Sequence, residues 1–183
     1  MAKNSIGLIE LTSIAAGYQV TDAMLKAADV SVVLSRSICS GKYMVMVRGD
    51  VAAVEAAVAS GRRAGHFSVV DSFVIPNLHE SVFPALSGIT KVEALEALGI
   101  VESFSVASLI EGADAAVKAA NIQLIEIRLA MALGGKAFVT LTGSVAAVES
   151  AVAAGAQAVG AKGMLVNKVV IASPRAELLN EMI

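Results

Sequence analysis

Cys39 carries the side chain best suited to metal or redox chemistry in this sequence, and it is the only cysteine among 183 residues. A thiolate is a ligand for zinc and for iron-sulfur clusters, and the positive charges of Arg36 and Lys42 nearby in sequence favour the anionic form of the thiol. One thiol is too few for either kind of site, because both need several ligands. A solitary cysteine is also more often an inert small apolar residue. The residues alone leave two roles open for Cys39: a structural side chain, or a ligand that cyclic symmetry brings together with its copies in other chains.

A glycine-rich stretch at residues 134–136, Gly-Gly-Lys, resembles part of a phosphate-binding loop. In the nucleotide-binding signature, however, Ala130 would have to be a glycine and Ala137 would have to be Ser or Thr. We therefore expect no nucleotide site at this loop.

Two histidines and two glutamates are the other candidates for chemistry. His66 and His79 lack the spacing of metal ligands and have no Ser or Cys partner in a recognised catalytic arrangement. Glu10 and Glu102 recur at matching strand ends without the pattern of a general acid and base pair. The sequence contains no arrangement typical of a hydrolase, transferase or dehydrogenase, and it predicts a protein that is not an enzyme.

The composition excludes several classes of partner. Lys and Arg number 14 against 16 Asp and Glu, so a net charge of -2 provides no broad cationic surface for nucleic acid or for a membrane. Although 56% of the residues are hydrophobic, the longest stretches without a charge hold 12 residues, short of the roughly 18 that a membrane span needs. The apolar run at residues 6–9 is too short for the core of a secretory signal. We expect a soluble, cytoplasmic chain whose surplus apolar surface covers subunit interfaces.

The elements that position these residues occur in two copies. A shift of 92 residues aligns ten identical pairs between residues 7–36 and 99–128. A shift of 94 residues then aligns thirteen identical pairs among the twenty-one positions 41–61. Because a period of about ninety residues exceeds that of solenoid repeats, the chain is a tandem duplication of a whole domain. We place the two domains at residues 1–90 and 91–183.

Each copy shows the order strand, helix, strand, strand, helix, strand and short helix. This order predicts an α/β (α+β) fold in which helices flank a mainly antiparallel, four-stranded sheet. The elements expected in the first copy are a strand at 6–10, a helix from an N-cap at Thr12 or Ser13 to Ala28, strands at 30–34 and 42–48 joined by a loop at 35–41, and a strand at 69–75. The second helix of each copy is expected to begin after the N-cap residues Asp50 and Ser144 and to end at Gly61 and Gly155.

Three segments and two single residues follow the pattern of a known family. They are 7–10 (Gly-Leu-Ile-Glu), 22–28 (Asp-Ala-Met-Leu-Lys-Ala-Ala), 49–54 (Gly-Asp-Val-Ala-Ala-Val), Gly41 and Lys42. With them the sequence resembles the bacterial microcompartment (BMC) shell domain. The resemblance covers nearly the whole chain, and the two copies are similar to the tandem-domain class of that family. It implies a homotrimer of six domains, a flat pseudo-hexameric tile with a central pore. Such tiles assemble with other shell proteins around enzymes in the cytoplasm.

Three further segments make the resemblance more specific: 12–15 (Thr-Ser-Ile-Ala), 37–42 (Ser-Ile-Cys-Ser-Gly-Lys) and 75–82 (Ile-Pro-Asn-Leu-His-Glu-Ser-Val). They resemble the tandem shell proteins of propanediol-utilisation compartments. There, cysteines from three subunits hold a 4Fe-4S cluster at the pore, and Cys39 stands at the matching position. The resemblance thus implies electron transfer across the shell, with a redox enzyme in the lumen as a candidate partner. It also implies pore loops at 37–41 and 131–135, with the pore-lining residues Ile38, Cys39, Ser40, Gly41, Leu133, Gly134 and Gly135.

The resemblance extends to the edges of the tile, with some departures. Lys26 and Lys118 occupy equivalent helix positions, and the family implies that they lie at tile edges and contact neighbouring tiles. Residues 171–176 (Ile-Ala-Ser-Pro-Arg-Ala) differ from the usual Ile-Pro-x-Pro-His, and Asn77 stands where many single-domain tiles carry an edge arginine. Two alternatives stay open: a tile whose pore passes small polar metabolites without a cluster, and a tile whose Cys39 thiols bind zinc.

Overall fold

The computed structural model describes residues 4–88, 90–92, 95–130, 133–175 and 177–178, with only the backbone described at Ser40. The chain divides into two compact units, residues 1–78 and 79–183. Each unit contains one antiparallel four-stranded sheet. The division falls before the domain limit expected at residue 90, because residues 79–88 belong to the second unit.

The first unit is built around one sheet with two helices on one of its faces. Its elements are β1 (Ser5–Leu11), α1 (Ile14–Ala27), β2 (Ser31–Ile38), β3 (Lys42–Gly49), α2 (Val51–Gly65) and β4 (Val69–Ile75). The strand order is β2-β3-β1-β4, so β2 is an edge strand. Ile9, Met24, Val45 and Val58 belong to the core that the two helices enclose against the sheet. Burial of this apolar face is the main stabilising contribution to the unit.

The second unit repeats this plan and adds one helix. Its elements are α3 (Val82–Ser87), β5 (Ala97–Ser103), α4 (Val106–Ala119), β6 (Gln123–Leu129), β7 (Ala137–Gly143), α5 (Val145–Gly160) and β8 (Leu165–Ala172). The strand order β6-β7-β5-β8 makes β6 the counterpart of β2. The added helix α3 packs on β6 and contacts α4. The short helix that ends the first copy in sequence therefore serves as part of the second unit.

The helices begin where the sequence predicts. The side chain of Ser13 accepts a hydrogen bond from a backbone N–H in the first turn of α1, and Asp50 and Ser144 do the same for α2 and α5. For Asp50 the N–H belongs to Ala53, at 2.9 Å. Each cap satisfies a donor that has no partner inside the helix.

The prediction that the second helices end at Gly61 and Gly155 is wrong. Both glycines lie inside α2 and α5, which continue beyond them. A Cβ atom at Gly61 would lie 2.6 Å from Cδ1 of Ile9, and one at Gly155 would lie 2.9 Å from the carbonyl oxygen of Gly112. Close packing against neighbouring elements, rather than helix termination, explains these two glycines, and the constraint is stronger at Gly155, where the neighbour is a backbone atom.

The expected loop at residues 35–41 is mostly strand. β2 extends to Ile38 and pairs with β3 throughout, so that Ser35 faces Val45. The polar side chain of Ser35 is accommodated because its hydroxyl forms hydrogen bonds with Thr21 Oγ1 at 2.9 Å and Tyr43 Oη at 3.1 Å. The connection between β2 and β3 consequently shrinks to three residues.

Candidate functional site

Cys39 opens the tight turn that joins β2 to β3. The turn is a single 3-10 helix, Cys39–Gly41, and the N–H of Lys42 donates to the carbonyl oxygen of Cys39. Ile38 and Lys42 pair directly across it, and Gly41 adopts a left-handed conformation with φ 71°. The strands therefore hold the backbone of Cys39 at the tip of a hairpin, with the thiol half-buried.

An ion pair lies beside this turn and recurs in the second unit. Lys42 Nζ lies 2.8 Å from Glu10 Oε1, and Lys136 Nζ lies 2.6 Å from Glu102 Oε1. The positive charge of Lys42 is thus paired with the Glu10 carboxylate of β1, so it does not act on the Cys39 thiol alone. The sequence contained a signal for this pair, because Glu10 and Lys42 both recur in the second copy, as Glu102 and Lys136.

The counterpart turn in the second unit differs in length and chemistry. Leu133, Gly134 and Gly135 precede β7, and both glycines have positive φ values of 61° and 87°. The N–H of Lys136 donates to the carbonyl oxygen of Leu133 at 3.1 Å. Met131 and Ala132, which were also expected in this loop, lie outside the described residues. The three residues described here contribute no thiol, carboxylate or imidazole.

The expected pore-lining residues therefore lie in two equivalent hairpin turns. Ile38, Cys39, Gly41 and the backbone of Ser40 are in or next to the turn of the first unit, and Leu133–Gly135 are in the turn of the second. Their role in lining a pore stays a prediction, because it depends on how several chains assemble. Within the described part of one chain, no three His, Cys, Asp or Glu side chains come together as a metal site.

The two candidate edge lysines are each bonded to an aspartate one helical turn earlier. Lys26 Nζ lies 2.6 Å from Asp22 Oδ2, and Lys118 Nζ lies 2.5 Å from Asp114 Oδ2. The Lys26–Asp22 pair is exposed, and exposed pairs of this spacing stabilise a helix by about 0.3–0.5 kcal/mol. Contact of these lysines with neighbouring tiles stays a prediction.

Comparison with known proteins identifies the family. The BMC domain matches twice, at residues 5–78 and 97–174. The chain belongs to the BMC-domain family. This protein is a bacterial microcompartment shell protein with two BMC domains in tandem, a structural component and not an enzyme. Proteins of this kind oligomerise and associate with other shell proteins.

Individual relatives agree with this assignment. The chain is 44% identical to the shell protein PduT of Citrobacter freundii over 98% of this chain and 97% of the relative. A solved structure of a microcompartment protein from Desulfitobacterium hafniense DCB is 51% identical and superposes with a TM-score of 0.95, covering 98% of this chain and 99% of that one. The carboxysome shell protein CcmK2 of Thermosynechococcus vestitus is 38% identical over 43% of this chain and 80% of its own length.

These comparisons confirm the predicted fold and the predicted location in a microcompartment shell. The shell protein PduA of Citrobacter freundii is a further relative, 38% identical over 45% of this chain and 90% of its own length. Across the described ranges, no helix has both the length and the hydropathy to cross a bilayer.

Proposed function

We propose that this shell protein forms a homotrimeric tile whose central pore holds a 4Fe-4S cluster through Cys39 of three subunits, for electron transfer across the shell. The observation that carries the proposal is the single half-buried thiol on the Cys39–Gly41 turn, which has no counterpart at Leu133–Gly135. Rotation about a threefold axis would bring three thiols, rather than six, to one point.

The residues around Cys39 fit such a group. Thiolates are the usual protein ligands of cubane clusters, and three of them leave one iron with an exchangeable ligand. A Cβ atom placed on Gly41 would meet no atom within 4 Å, so the turn that carries Cys39 is open on the side of Gly41 in the isolated chain. Such a cluster, when bound, supplies one-electron redox chemistry.

The chain's own part in this function is to position the thiol and to balance charge. The paired strands β2 and β3 restrict the turn and so hold the backbone of Cys39 in place. Lys42 places a positive charge next to the turn, and Glu10 tethers it there. A redox enzyme in the lumen would complete the electron path.

Metal analysis of the anaerobically purified protein tests the proposal. We expect about four irons and four sulfides per three chains, with an EPR signal after reduction. Cys39→Ser should lose the iron and the signal, whereas Leu133→Ser, at the counterpart turn, should keep both. A wild-type protein that stays colourless and free of iron after anaerobic reconstitution would reject the cluster.

A second candidate function is a pore that conducts small polar metabolites without a cluster. The exposed backbone at Gly134 and Gly135 favours it, because amide groups without side chains can solvate a polar solute. Unchanged compartment function in Cys39→Ala, together with solute flux that depends on the pore, would support this candidate. About one zinc per three chains would instead indicate a tris-thiolate zinc site.

A further inference from the structure

A basic and aromatic surface covers the end of α2 and the turn that follows it. It consists of Arg62, Arg63, His66 and Phe67, which are all exposed, and we call it the arginine-aromatic surface. Phe67 is 94% exposed, more than any other large apolar side chain that the structure describes. Arginine and aromatic residues are the types that contribute most to binding at protein interfaces.

The turn that presents Phe67 is held in place by hydrogen bonds of its backbone. The N–H of His66 donates to the carbonyl oxygen of Arg62, and the N–H of Thr12 donates to the carbonyl oxygen of Ser68 at 2.8 Å. The rings of His66 and Phe67 pack together with their centroids 4.2 Å apart. Because the Phe67 ring is restricted before any partner arrives, binding through it carries a smaller entropy cost.

The two guanidinium groups of this surface are free to bind an anion. Neither Arg62 nor Arg63 forms an ion pair with any residue that the structure describes. The helix dipole favours cations in the last turn of α2 but leaves their hydrogen-bond donors unused. The whole chain has a net charge of -2, so this surface is a local excess of positive charge that attracts an acidic partner.

The second unit lacks the two arginines. At the shift of 94 residues, Ala156 and Gln157 of α5 stand at the positions of Arg62 and Arg63. Because the second unit adopts the same fold without these side chains, the fold itself does not require them.

The aromatic side chain is also absent from the equivalent turn of the second unit. The N–H of Phe104 donates to the carbonyl oxygen of Met164, as Thr12 does to Ser68, which sets a shift of 96 residues after the helix. Gly163 then takes the place of Phe67.

The one cation of that second turn is already neutralised. Lys162, which takes the place of His66, pairs with Glu111 of α4. The first unit has Gln19 at the position of Glu111, so it offers no such carboxylate. The unpaired positive charge and the exposed ring are therefore particular to the first unit.

The arginine-aromatic surface lies at the end of the first unit that carries the thiol. Leu11, the last residue of β1, pairs with Tyr43 on one side and with Val69 on the other. Tyr43 is near the start of β3, just after the Cys39 turn, and Val69 begins β4, two residues after Phe67. The two strands are two strand spacings apart, about 10 Å. A partner bound at this surface would be close to the turn that holds Cys39.

We propose that the arginine-aromatic surface docks a partner protein through an acidic segment that contains one apolar side chain. Carboxylates of the segment accept hydrogen bonds from Arg62 and Arg63, and its apolar side chain packs against Phe67. Two guanidinium groups are too few for a nucleic acid, whose affinity depends on many phosphate contacts. The inference rests on the proposed electron transfer only for the redox role of the partner.

Fluorescence anisotropy with an acidic peptide tests the docking on the full-length protein. The probe is a fluorescein-labelled peptide of alternating glutamate and aspartate with one central phenylalanine, at low ionic strength. Phe67→Ala should weaken its binding about tenfold, and Arg62→Gln combined with Arg63→Gln should weaken it at least about tenfold and reduce its dependence on salt. The matched controls Phe104→Ala and Lys168→Gln change an exposed aromatic ring and an exposed cation of the second unit, and they should leave binding unchanged.

A peptide without the phenylalanine identifies the apolar contact. It should bind wild type about tenfold more weakly than the full probe and should bind Phe67→Ala no more weakly than the full probe does. Absence of binding to wild type, or equal weakening by the control variants, would overturn the docking. Tighter binding of a single-stranded oligonucleotide than of the peptide would overturn it as well.

The Cys39→Ser variant separates this inference from the proposed cluster. It removes the thiol and leaves the arginine-aromatic surface intact, so it should bind the peptide as wild type does. A wild-type protein that binds the peptide but retains no iron would reject the cluster and leave the docking surface standing.

Discussion

The edge strands β2 and β6 show how one duplicated fold came to have two different surfaces. Both pair with their neighbours in the same register and contain the same irregularity, between Val32 and Leu34 and between Leu124 and Glu126. Only β6 is covered, by a helix that the preceding copy supplies. One edge strand is therefore covered within its own chain, whereas Val32 on the equivalent strand is 42% exposed against 1% for Leu124.

The turns after these strands differ in a second respect. The first copy connects β2 to β3 through three residues that include a thiol, and the second uses a longer connection with two adjacent glycines. Duplication allows such a difference, whereas a hexamer of identical single domains would carry six equal turns. The proposed threefold cluster relies on this asymmetry.

The largest expected effect comes from comparing the same substitution at equivalent positions of the two edge strands, Val32 in β2 and Leu124 in β6. Leu124→Asp should destabilise the chain by about 4 kcal/mol or more, because it buries a carboxylate without a partner. Val32→Asp should change the stability of the isolated chain by less than about 0.5 kcal/mol. Urea denaturation followed by circular dichroism at low protein concentration measures both. Equal losses would show that β2 is as well covered as β6.

The helix pairs provide the next contrast. Gly155→Ala should destabilise the protein by about 1–3 kcal/mol, since its Cβ would press on the backbone oxygen of Gly112. The Cβ of Gly61→Ala would meet side-chain atoms of Ile9 and Met24 rather than backbone, and a gain in helix propensity of about 1 kcal/mol offsets that contact. Denaturant midpoints at one protein concentration compare the two. A larger loss for Gly61→Ala would contradict this packing.

A polar network distinguishes the interior of the first copy. Tyr43→Phe should cost about 0.5–1.5 kcal/mol, because Ser35 and Thr21 lose the hydroxyl at the end of their hydrogen-bonded chain. The second copy carries alanine at position 137, where Tyr43 stands in the first. Thermal denaturation of the variant beside wild type measures the effect, and an unchanged midpoint would exclude any contribution of the network.

The smallest expected effect concerns the ion pairs that the copies share. Glu10→Gln and Glu102→Gln should each cost about 0–1 kcal/mol, since both pairs are partly exposed. The two losses should be similar and should shrink as salt is added. A stability titration at low and high ionic strength checks this, and a loss confined to one copy would show that its environment differs.

Local patterns account for much of what could be predicted from the sequence. The repeat, the helix caps and the central strands are encoded by residues that are close together in the sequence. Asp50 and Ser144, for example, cap their helices regardless of what those helices pack against. Gly61 and Gly155 were misassigned because a buried helix contact and a helix end both favour glycine. The true extent of β2 was missed because its serines are polar, and only Thr21 and Tyr43 explain why a strand accepts them.

The same division applies to the candidate site. The sequence by itself determined that the chain has one thiol, that it lies near a strand end and that only one copy carries it. Only the tertiary structure decided that Glu10 engages Lys42, and that Asp22 is open where the identical residue Asp114 is covered. Identical residues in a repeat have identical local preferences, so the difference between them arises from what packs against each one.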